Sequence, residues 1–478
     1  MRKIFCLVCM LLLVSPLIMS QARTGDIYGT VTDTEDNPLP GVTVTLTGSK
    51  TGVMTSITSN QGRFRFVSLS PANDYTVKAE LEGFKTSIKQ NIIVVVGANV
   101  EINLEMEMGA LEEEVTVTAV TPVVDTKKTE VGQNVTHEIL QSLPTARDPW
   151  VILQMAPSIL LDRENVGGSE SGQQSGFASR GAPSDAQTVW AMDGMVITDP
   201  AAIGASPSYY DFDAFEEMSV TVGGSDVTTQ TGGVSINLVT RRGGNKVSLG
   251  GRFYLSDKKF QAENEDFVEQ TRAEEPGFIG INKVRNIKDF GFNLGVPIWK
   301  DHIWAWGSYG VQDIKTTTVY GRSDDTLLQN YAFKVNAQII PENRFEAFMH
   351  VGGKNKYGRS SSSSLPGGYY QAGRYYFGSP IFKLQDEHMF GNNFFVSAKY
   401  TFSDSGFSLT PMDDLDFENP PWWDTTNDVW EGPDGDVGEW RYYVERPVSQ
   451  YALRGTYFND SFLGASHEIL FGGEYAAR

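Results

Sequence analysis

Alternation between apolar and polar residues is the dominant pattern along this chain, and it occurs in a short and a long form. Between residues 25 and 107 the alternating runs are short, and turn residues such as Pro40-Gly41 and Asn60-Gln61-Gly62 separate them. The runs are Ile27 to Thr32, Val42 to Thr47, Arg63 to Val67, Tyr75 to Leu81, Ile92 to Val96 and Val100 to Leu104. Runs of this number and spacing predict a small β-sandwich.

From residue 246 onward the alternation extends over longer segments, each of about ten residues. Phe290, Phe292 and Leu294, for example, alternate with Asp289 and Asn293. This pattern predicts transmembrane β-strands with an apolar outer face and a polar lumen. The segments are roughly 246 to 254, 288 to 296, 302 to 311, 329 to 340, 344 to 353, 378 to 387, 394 to 403, 447 to 458 and 467 to 478.

The connections between these segments alternate between short turns and long loops. Short turns are predicted at 297 to 301, 341 to 343, 388 to 393 and 459 to 466, and long loops at 255 to 287, 312 to 328, 354 to 377 and 404 to 446. Outer-membrane barrels have short periplasmic turns and long extracellular loops, whereas a soluble β-protein does not require this alternation. Trp299, Trp304 and Trp306 beside a short turn fit an aromatic girdle at the membrane interface.

The first residues have the pattern of an export signal. Arg2 and Lys3 precede an apolar run from Ile4 to Met19, and small residues follow, so we expect cleavage after Ala22. A buried N-terminal helix is the alternative interpretation. The only two cysteines, at positions 6 and 9, lie inside this segment, so the exported chain has no thiol or disulfide chemistry.

Composition narrows the classes of protein further. The chain has 478 residues, with 39 Lys and Arg against 59 Asp and Glu, which gives a net charge of -20. This argues against a nucleic-acid partner, because phosphate binding requires clustered basic residues. Past residue 23 there is no apolar run of about 18 residues, so any membrane residence must be as a β-barrel or at the membrane surface.

The region from 108 to 245 contains other elements. Glu112 to Ala119 is a short β-branched peptide flanked by charge and by Pro122, which suits pairing with the edge of a partner sheet; a plain strand or linker is the alternative. Thr136 to Pro144 predicts a short capped helix, and Phe215 to Gly223 and Thr231 to Thr240 predict strands.

Three of these regions resemble known domains. Gly29-Thr-Val-Thr-Asp33, Pro38-Leu-Pro-Gly-Val42 and Thr58 to Phe64 are similar to the carboxypeptidase-regulatory-like domain, a transthyretin-like sandwich. The segment Glu113, Glu114, Val115, Thr116, Val117, Thr118, Ala119 resembles a TonB box. The next region resembles the plug of TonB-dependent receptors through Arg147, Asp148, Arg180, Gly181, Asp193, Gly194, Gly232, Gly233 and Asn237.

Together the resemblances indicate an Oar-like TonB-dependent receptor of mainly β structure. They imply a transthyretin-like β-sandwich at 25 to 107, a linker at 108 to 123, a mixed α+β plug at 124 to 245, and the first strands of an antiparallel outer-membrane β-barrel at 246 to 478. The sandwich would lie in the periplasm and the barrel in outer-membrane lipid. TonB of the inner-membrane complex would pull the TonB-box-like segment after an extracellular ligand binds. An exported adhesin or glycan-binding β-protein without transport is the alternative.

The loop at 404 to 446 is acidic and contains four tryptophans. Its candidate contacts for an external ligand are Trp422, Trp423, Asp424, Trp430, Asp434 and Asp436. The carboxylates could hold Ca²⁺, but no clean ligand spacing is present, and a solvated acidic loop is the simpler interpretation. None of the five His begins a His-x-x-Glu, so we predict no metal site, no cofactor and no enzyme activity.

The number of predicted strands bears on the length of the chain. Nine strands are too few for a barrel that resembles a 22-stranded structure, and bacterial barrels of this kind have even strand numbers. We therefore expect the 478 residues to be a fragment, with unpaired strand edges at 246 to 254 and at 467 to 478.

Overall fold

The structure is a computed structural model that describes residues 24 to 477 with several gaps. The gaps are 110–113, 119–129, 144, 146, 163–170, 180–181, 184–186, 201–204, 207, 225–230, 263, 276–279, 319–320, 360–367, 374–377, 413–421, 425–428, 432–441 and 463–464. The predicted signal peptide therefore lies outside the described residues.

The first domain is a two-layer β-sandwich. Its strands are β1 (Gly25–Asp33), β2 (Thr43–Gly48), β3 (Thr51–Ile57), β4 (Arg63–Leu69), β5 (Ala72–Glu80), β6 (Thr86–Val94), β7 (Asn99–Glu101) and β8 (Leu104–Met106). One sheet has the order β4-β1-β7 with β8 also on β1, and the other begins β3-β2-β5-β6. Alternate residues such as Ile27, Leu46, Phe64 and Tyr75 point between the sheets and form the core.

The sandwich differs in detail from the predicted runs. β3 was not predicted, because Thr51 to Ile57 contains three Thr or Ser residues, and its apolar Val53 and Ile57 are exposed whereas Ser56 is buried. The predicted run from Ile92 to Val96 is the end of β6, which begins at Thr86 and contains Asn91 with a φ of 58°. A left-handed residue inside the strand interrupts the alternation on which the prediction depended.

Strand β9 (Glu114–Thr118) comes from the TonB-box-like segment, and we call it the coupling strand. It does not lie apart as a linker. It pairs in parallel with β6, from Thr86 opposite Glu114 to Gln90 opposite Thr118, and completes the sheet β3-β2-β5-β6-β9.

The second domain is the α+β unit expected for the plug. Its strands are β10 (Val131–Thr136), β11 (Ile159–Leu161), β12 (Phe177–Ser179), β13 (Ala182–Pro183), β14 (Val189–Met192), β15 (Met195–Val196), β16 (Phe215–Gly223) and β17 (Ser235–Thr240). Its helices are α1 (His137–Ser142) and α2 (Pro149–Ile152), with single 3₁₀ turns at Leu153–Met155 and Phe212–Ala214. The main sheet has the order β10-β16-β17-β14-β15, and β11, β12 and β13 form a small second sheet.

The last domain is a long antiparallel sheet that forms the barrel wall. Its principal strands are β18 (Ser248–Asp257), β19 (Lys283–Trp299), β20 (Ile303–Thr317), β21 (Ser323–Ile340), β22 (Asn343–Arg359), β24 (Ser379–Phe390), β25 (Phe394–Asp404), β30 (Pro447–Phe462) and β31 (Ala465–Ala477). Each pairs with the next in this order. Most strands extend further into the long loops than the sequence pattern indicated, and in the described part of the chain β18 and β31 are the two ends of the sheet.

Short elements occupy parts of the long loops. They are β23 (Tyr369–Gly373), β26 (Phe407–Pro411), β27 (Trp422–Asp424), β28 (Val429–Glu431), β29 (Tyr442–Val444), a 3₁₀ turn at Lys258–Phe260 and helix α3 (Glu265–Glu274). β23, β26 and β29 extend the wall, and β27 pairs with β28. No described helix has the length and apolar composition that a membrane crossing requires.

The two faces of the wall carry different side chains, as the alternation predicted. Phe290, Phe292 and Leu294 of β19 are 39%, 57% and 43% exposed on the outer face, whereas Asp289 and Asn293 are buried on the inner face. An apolar outer surface with polar residues inside is the arrangement of an outer-membrane barrel. The mainly polar inner face of the wall therefore faces the plug.

The aromatic girdle was predicted wrongly for two of its three residues. Trp299 is exposed and stacks on His302, as an interfacial residue would. Trp304 and Trp306 are only 1% exposed and face the interior. Trp304 donates its indole N–H to Asn245, and Trp306 packs in the core of the plug, so the inner face of β20 is apolar where it meets the plug.

Candidate functional site

A buried cluster of ion pairs joins the plug to the barrel wall. Arg252 of β18 lies 2.8 Å from Asp211 and 3.0 Å from Asp213, both on the plug, and 2.7 Å from Asp289 of β19. Arg147 of the plug pairs with Asp213 and, at 3.0 Å, with Asp289. Removing one member of such a cluster would leave a buried charge uncompensated, so these pairs fix the position of the plug.

Backbone geometry presents Arg147 to this cluster. The residue follows α1, and its φ of 58° is unusual for a residue with a side chain. The adjacent Asp148 accepts a hydrogen bond from the backbone N–H of Val151 at 3.0 Å and thereby caps α2. The two residues of the predicted pair therefore have different roles: Arg147 contacts the wall, and Asp148 orders the plug.

The Asp193-Gly194 turn is the second contact between plug and wall. Both residues have positive φ, at 48° and 69°, as a tight two-residue hairpin between β14 and β15 requires. The Asp193 carboxylate accepts hydrogen bonds from the N–H and hydroxyl of Thr240 and lies 2.8 Å from the Lys334 ammonium. The Gly194 N–H donates to the predicted residue Asn237 at 3.1 Å.

Three wall lysines converge on this turn. Besides Lys334, Lys383 donates to the backbone carbonyl of Asp193 at 3.0 Å, and Lys399 donates to that of Gly194 at 2.8 Å. Lys383 is fully buried and also binds Glu346 of β22 at 2.6 Å. The sequence indicated the turn but not the lysines, which occupy inward positions of predicted strands.

The predicted glycines Gly232 and Gly233 have a packing role. A Cβ atom on Gly233 would lie 2.3 Å from the backbone carbonyl oxygen of Gln187, whereas one on Gly232 would lie 3.2 Å from the Gln187 side-chain oxygen. Gly233 thus permits close approach of the two backbones just before β14 and β17 pair in parallel.

The rest of the predicted site can be placed only in part. Arg180, Gly181, Asp434, Asp436, Glu113 and Ala119 lie outside the described residues. Trp422, Trp423 and Asp424 form one strand of the β27–β28 hairpin, and Trp430 lies on the other, opposite Trp423. The described residues contain no group of three or more His, Cys, Asp or Glu that could hold a metal ion, and most of the acidic loop lies outside them.

A cavity of about 460 Å³ lies between the plug and the long-loop end of the wall. The plug side is lined by Gln173, Gln174, Asp199 and Tyr209. The wall side is lined by residues of β22, β23 and β24 and by Arg446 just before β30: Lys354, Lys356, Arg359, Gln371, Ser379 and Arg446. Its volume is in the range of small-molecule binding sites.

The lining of this cavity is rich in cations. Lys356 pairs with Asp324 at 2.8 Å, and Arg446 pairs with Asp199. Lys354 binds neutral oxygens, namely Gly172 carbonyl at 3.1 Å and Tyr209 hydroxyl at 3.0 Å, and Arg359 binds the Gln371 amide at 2.7 Å. Among the described residues neither of these two has a carboxylate within ion-pair distance, so the cavity suits an anionic group.

At the short-turn end of the same wall, the sandwich docks against the barrel. The Gln338 side chain accepts a hydrogen bond from Gly52 N–H at 3.0 Å, and Arg344 donates to the carbonyls of Val67 and Ser68, each at 2.9 Å. Arg344 is the second residue of β22 and Lys354 lies ten residues further along, so the docking face and the cavity are about 30 Å apart.

Comparisons with known proteins identify relatives of this chain. The family model described as carboxypeptidase regulatory-like domain matches residues 26–107. The TonB-dependent transporter Oar of Myxococcus xanthus is 30% identical over 302 residues, which cover 60% of this chain and 27% of that protein. The chain is a homologue of Oar. It spans about a quarter of the length of this curated relative, as the aligned 27% shows.

Solved structures show the same fold at low sequence identity. The outer membrane transporter YddB from Escherichia coli matches with a TM-score of 0.52 and 14% identity, over 72% of this chain and 48% of that one. The siderophore receptor PirA from Acinetobacter baumannii matches with a TM-score of 0.52 and 13% identity, over the same shares. The mainly β fold with a plug and barrel strands is thereby confirmed, and the relatives are transporters and receptors.

Proposed function

We propose that this chain acts in a TonB-dependent outer-membrane receptor that binds an extracellular substrate and imports it by energy-coupled remodelling of the plug. The observation that carries the proposal is a plug fixed by buried ion pairs inside a wall that has a cavity at one end and the coupling strand at the other. Homology to Oar supports the same conclusion.

The orientation follows from the two ends of the wall. Short turns and the sandwich occupy one end, which faces the periplasm in this proposal, and the long loops and the cavity occupy the other, which faces the outside. The exposed apolar residues of β19 then contact lipid. A substrate that enters from outside meets the cations of the cavity before it meets the plug.

The seating of the plug explains why energy is required. The Arg147, Arg252 and Lys334 contacts are buried, and breaking a buried ion pair by removing one partner typically costs about 3 to 5 kcal/mol. The outer membrane has no ion gradient or ATP of its own. A partner in the inner membrane that pulls the coupling strand would supply the work, and a TonB strand would bind it through backbone hydrogen bonds.

The test uses the full-length receptor purified from outer membranes and the purified periplasmic part of TonB from the same organism. We expect saturable binding of TonB, measured by biolayer interferometry, and loss of that binding when residues 112 to 119 are deleted. The deletion variant must reach the outer membrane in normal amount. Equal TonB binding by the wild type and the deletion variant would show that residues 112 to 119 are not the TonB site, and binding by neither would favour an adhesin or glycan-binding protein without transport.

A further inference from the structure

The coupling strand is held at the edge of the sandwich sheet. All five of its residues pair with β6, and β9 is the last strand in the order β3-β2-β5-β6-β9. Within the described part of the chain no strand covers its outer edge. That edge therefore presents an ordered row of backbone donors and acceptors.

The other end of β6 contacts the plug directly. Two residues past the end of β6, the Val96 N–H donates to both carboxylate oxygens of Glu217, at 3.1 and 3.2 Å. The Val96 carbonyl accepts a hydrogen bond from the Asn134 amide at 2.8 Å. Glu217 lies on β16 and Asn134 on β10, which pair in the main plug sheet, and Glu217 is 1% exposed.

Two further contacts attach the sandwich to the plug. Lys50 of the sandwich pairs with Glu216, the neighbour of Glu217 on β16. Arg242, which lies just after β17, donates a hydrogen bond to the hydroxyl of Ser70 in the sandwich. The coupling strand is thus connected to the central plug strands by β6 and Val96, in addition to its covalent connection through residues 119 to 129.

We propose that the sandwich is an adaptor: it presents the coupling strand as a pre-ordered edge for a TonB strand, and it transmits the pull through β6 and Val96 to the plug. This inference rests on the proposed function. The partner is an extended β-strand that adds to the outer edge of β9 by backbone hydrogen bonds. Glu112, Glu113 and Glu114 at the start of the segment favour a partner with Lys or Arg nearby.

Two physical effects support an adaptor. A strand that is already ordered loses less conformational entropy on binding than a free linker does, so presentation on β6 favours the partner. A pull along β9 also loads the hydrogen bonds to β6 in shear, and all of them resist together. The opposite role, in which the sandwich hides the strand from TonB, requires β9 to leave β6 before TonB binds.

A reversible crosslink separates these two roles. Residues 24 to 478 contain no cysteine, so the double variant Lys89→Cys with Val117→Cys introduces one defined pair in this part of the receptor, at positions that lie opposite each other in the β6–β9 ladder. Cα atoms of paired strand residues lie within disulfide range. We expect efficient disulfide formation in the full-length receptor, and TonB affinity within about twofold of that of the reduced form.

The matched control places the cysteines out of register, as Thr86→Cys with Thr118→Cys, and should crosslink poorly. Each single cysteine variant controls for the substitution itself. A tenfold or greater loss of TonB binding on oxidation, restored by reduction, would show that the sandwich hides the strand and would overturn the adaptor, as would equal crosslinking of both pairs. Absence of TonB binding in the wild type as well would instead contradict the proposed function.

Transmission through Val96 has its own test. Ser235 on β17 is only 4% exposed. A cysteine in its place, Ser235→Cys, should therefore react with a maleimide in cells only while TonB remodels the plug. The part of this labelling that depends on TonB is the part that stops when an uncoupler collapses the proton gradient of the inner membrane. Adding Glu217→Ala should slow that part at least threefold and leave TonB affinity unchanged. Glu217→Gln keeps an oxygen acceptor for the Val96 N–H and should label at the parent rate.

A second variant guards against a folding defect. If Glu217→Ala accumulates poorly in the outer membrane, Asn134→Ala removes the other bond to Val96 and should slow labelling in the same way. Unchanged labelling in both variants would show that the pull bypasses Val96, and the adaptor proposal would be wrong.

Discussion

Lys334 of the barrel wall lies 2.8 Å from the carboxylate of Asp193 in the plug, and both side chains are almost completely buried. Replacing Lys334 by Met keeps most of the side-chain volume but leaves the carboxylate without its cation. We expect the seating of the plug to weaken by about 3 kcal/mol, the low end for an uncompensated buried charge. Hydrogen exchange of the β14–β15 hairpin in the full-length receptor would measure the loss.

The double variant Lys334→Met with Asp193→Asn is the control for this pair. It removes both charges, so exchange should return most of the way toward the wild-type rate. If the single and double variants exchange equally fast, the ion pair does not fix the turn.

The cavity predicts a charge-dependent affinity. Lys354→Met combined with Arg359→Met removes the two cations without a described carboxylate partner, so binding of a small multivalent anion should fall at least tenfold. Citrate at low ionic strength is the probe, and its heat of binding to the purified receptor is the measurement. Lys300→Met removes one positive charge at an exposed position at the short-turn end, away from the cavity, and should leave binding unaltered. Equal citrate affinity in all three proteins would contradict an anion site.

The sequence predicted the features of the fold that arise from a difference in polarity between the two faces of a strand. Phe290, Phe292 and Leu294 face outward as their alternation indicated, because lipid and lumen impose opposite polarity on the two faces. Trp306 was misassigned because the plug supplies an apolar surface inside the wall, and Trp304 because its indole N–H has an inward hydrogen-bond partner in Asn245. The start of β20 therefore has apolar side chains on both faces. No local pattern distinguishes such a strand's inner face from its outer one.

The candidate site was less predictable for a related reason. Lys354 and Lys356 continue the inward positions of β22 beyond residue 353, where the predicted strand ended and a loop was expected. Their spacing was a usable signal, since inward residues of a strand recur every second position. The pairing of the coupling strand with β6 had no such signal, because parallel pairing joins segments more than twenty residues apart through the backbone alone.

The sandwich should respond to pH through Asp26. Its carboxylate accepts a hydrogen bond from Ser68 N–H at 2.7 Å, but burial is the larger effect and raises its pKa to about 6. A carboxyl group with a raised pKa favours the folded state while protonated, so this contribution is complete below about pH 4 and is lost as the pH rises through 6. Asp26→Asn removes the penalty and should stabilise the sandwich at pH 7, by at most about 3 kcal/mol.

The measurement is hydrogen exchange of sandwich peptides, corrected for intrinsic rates, at pH 4 and at pH 7.5. It would show how the stability difference between the wild type and Asp26→Asn changes with pH. Asp36→Asn makes the same charge change at an exposed turn and should have little effect at either pH. A less stable Asp26→Asn protein at pH 7 would mean that the charged form is favoured, opposite to the expected sign.

Adjacent glycines in the plug give a matched pair of variants. Gly233→Ala places a methyl group 2.3 Å from the Gln187 carbonyl oxygen, a contact that only a backbone shift can relieve. Gly232→Ala meets only the end of the Gln187 side chain at 3.2 Å, which can rotate away. We expect the first substitution to destabilise the β14–β17 pairing by about 1 to 3 kcal/mol, as overpacking does, and the second to be tolerated. Protease resistance of the plug in outer-membrane preparations would rank the two variants, and equal resistance would show that the close approach at Gly233 is not required for the plug to fold.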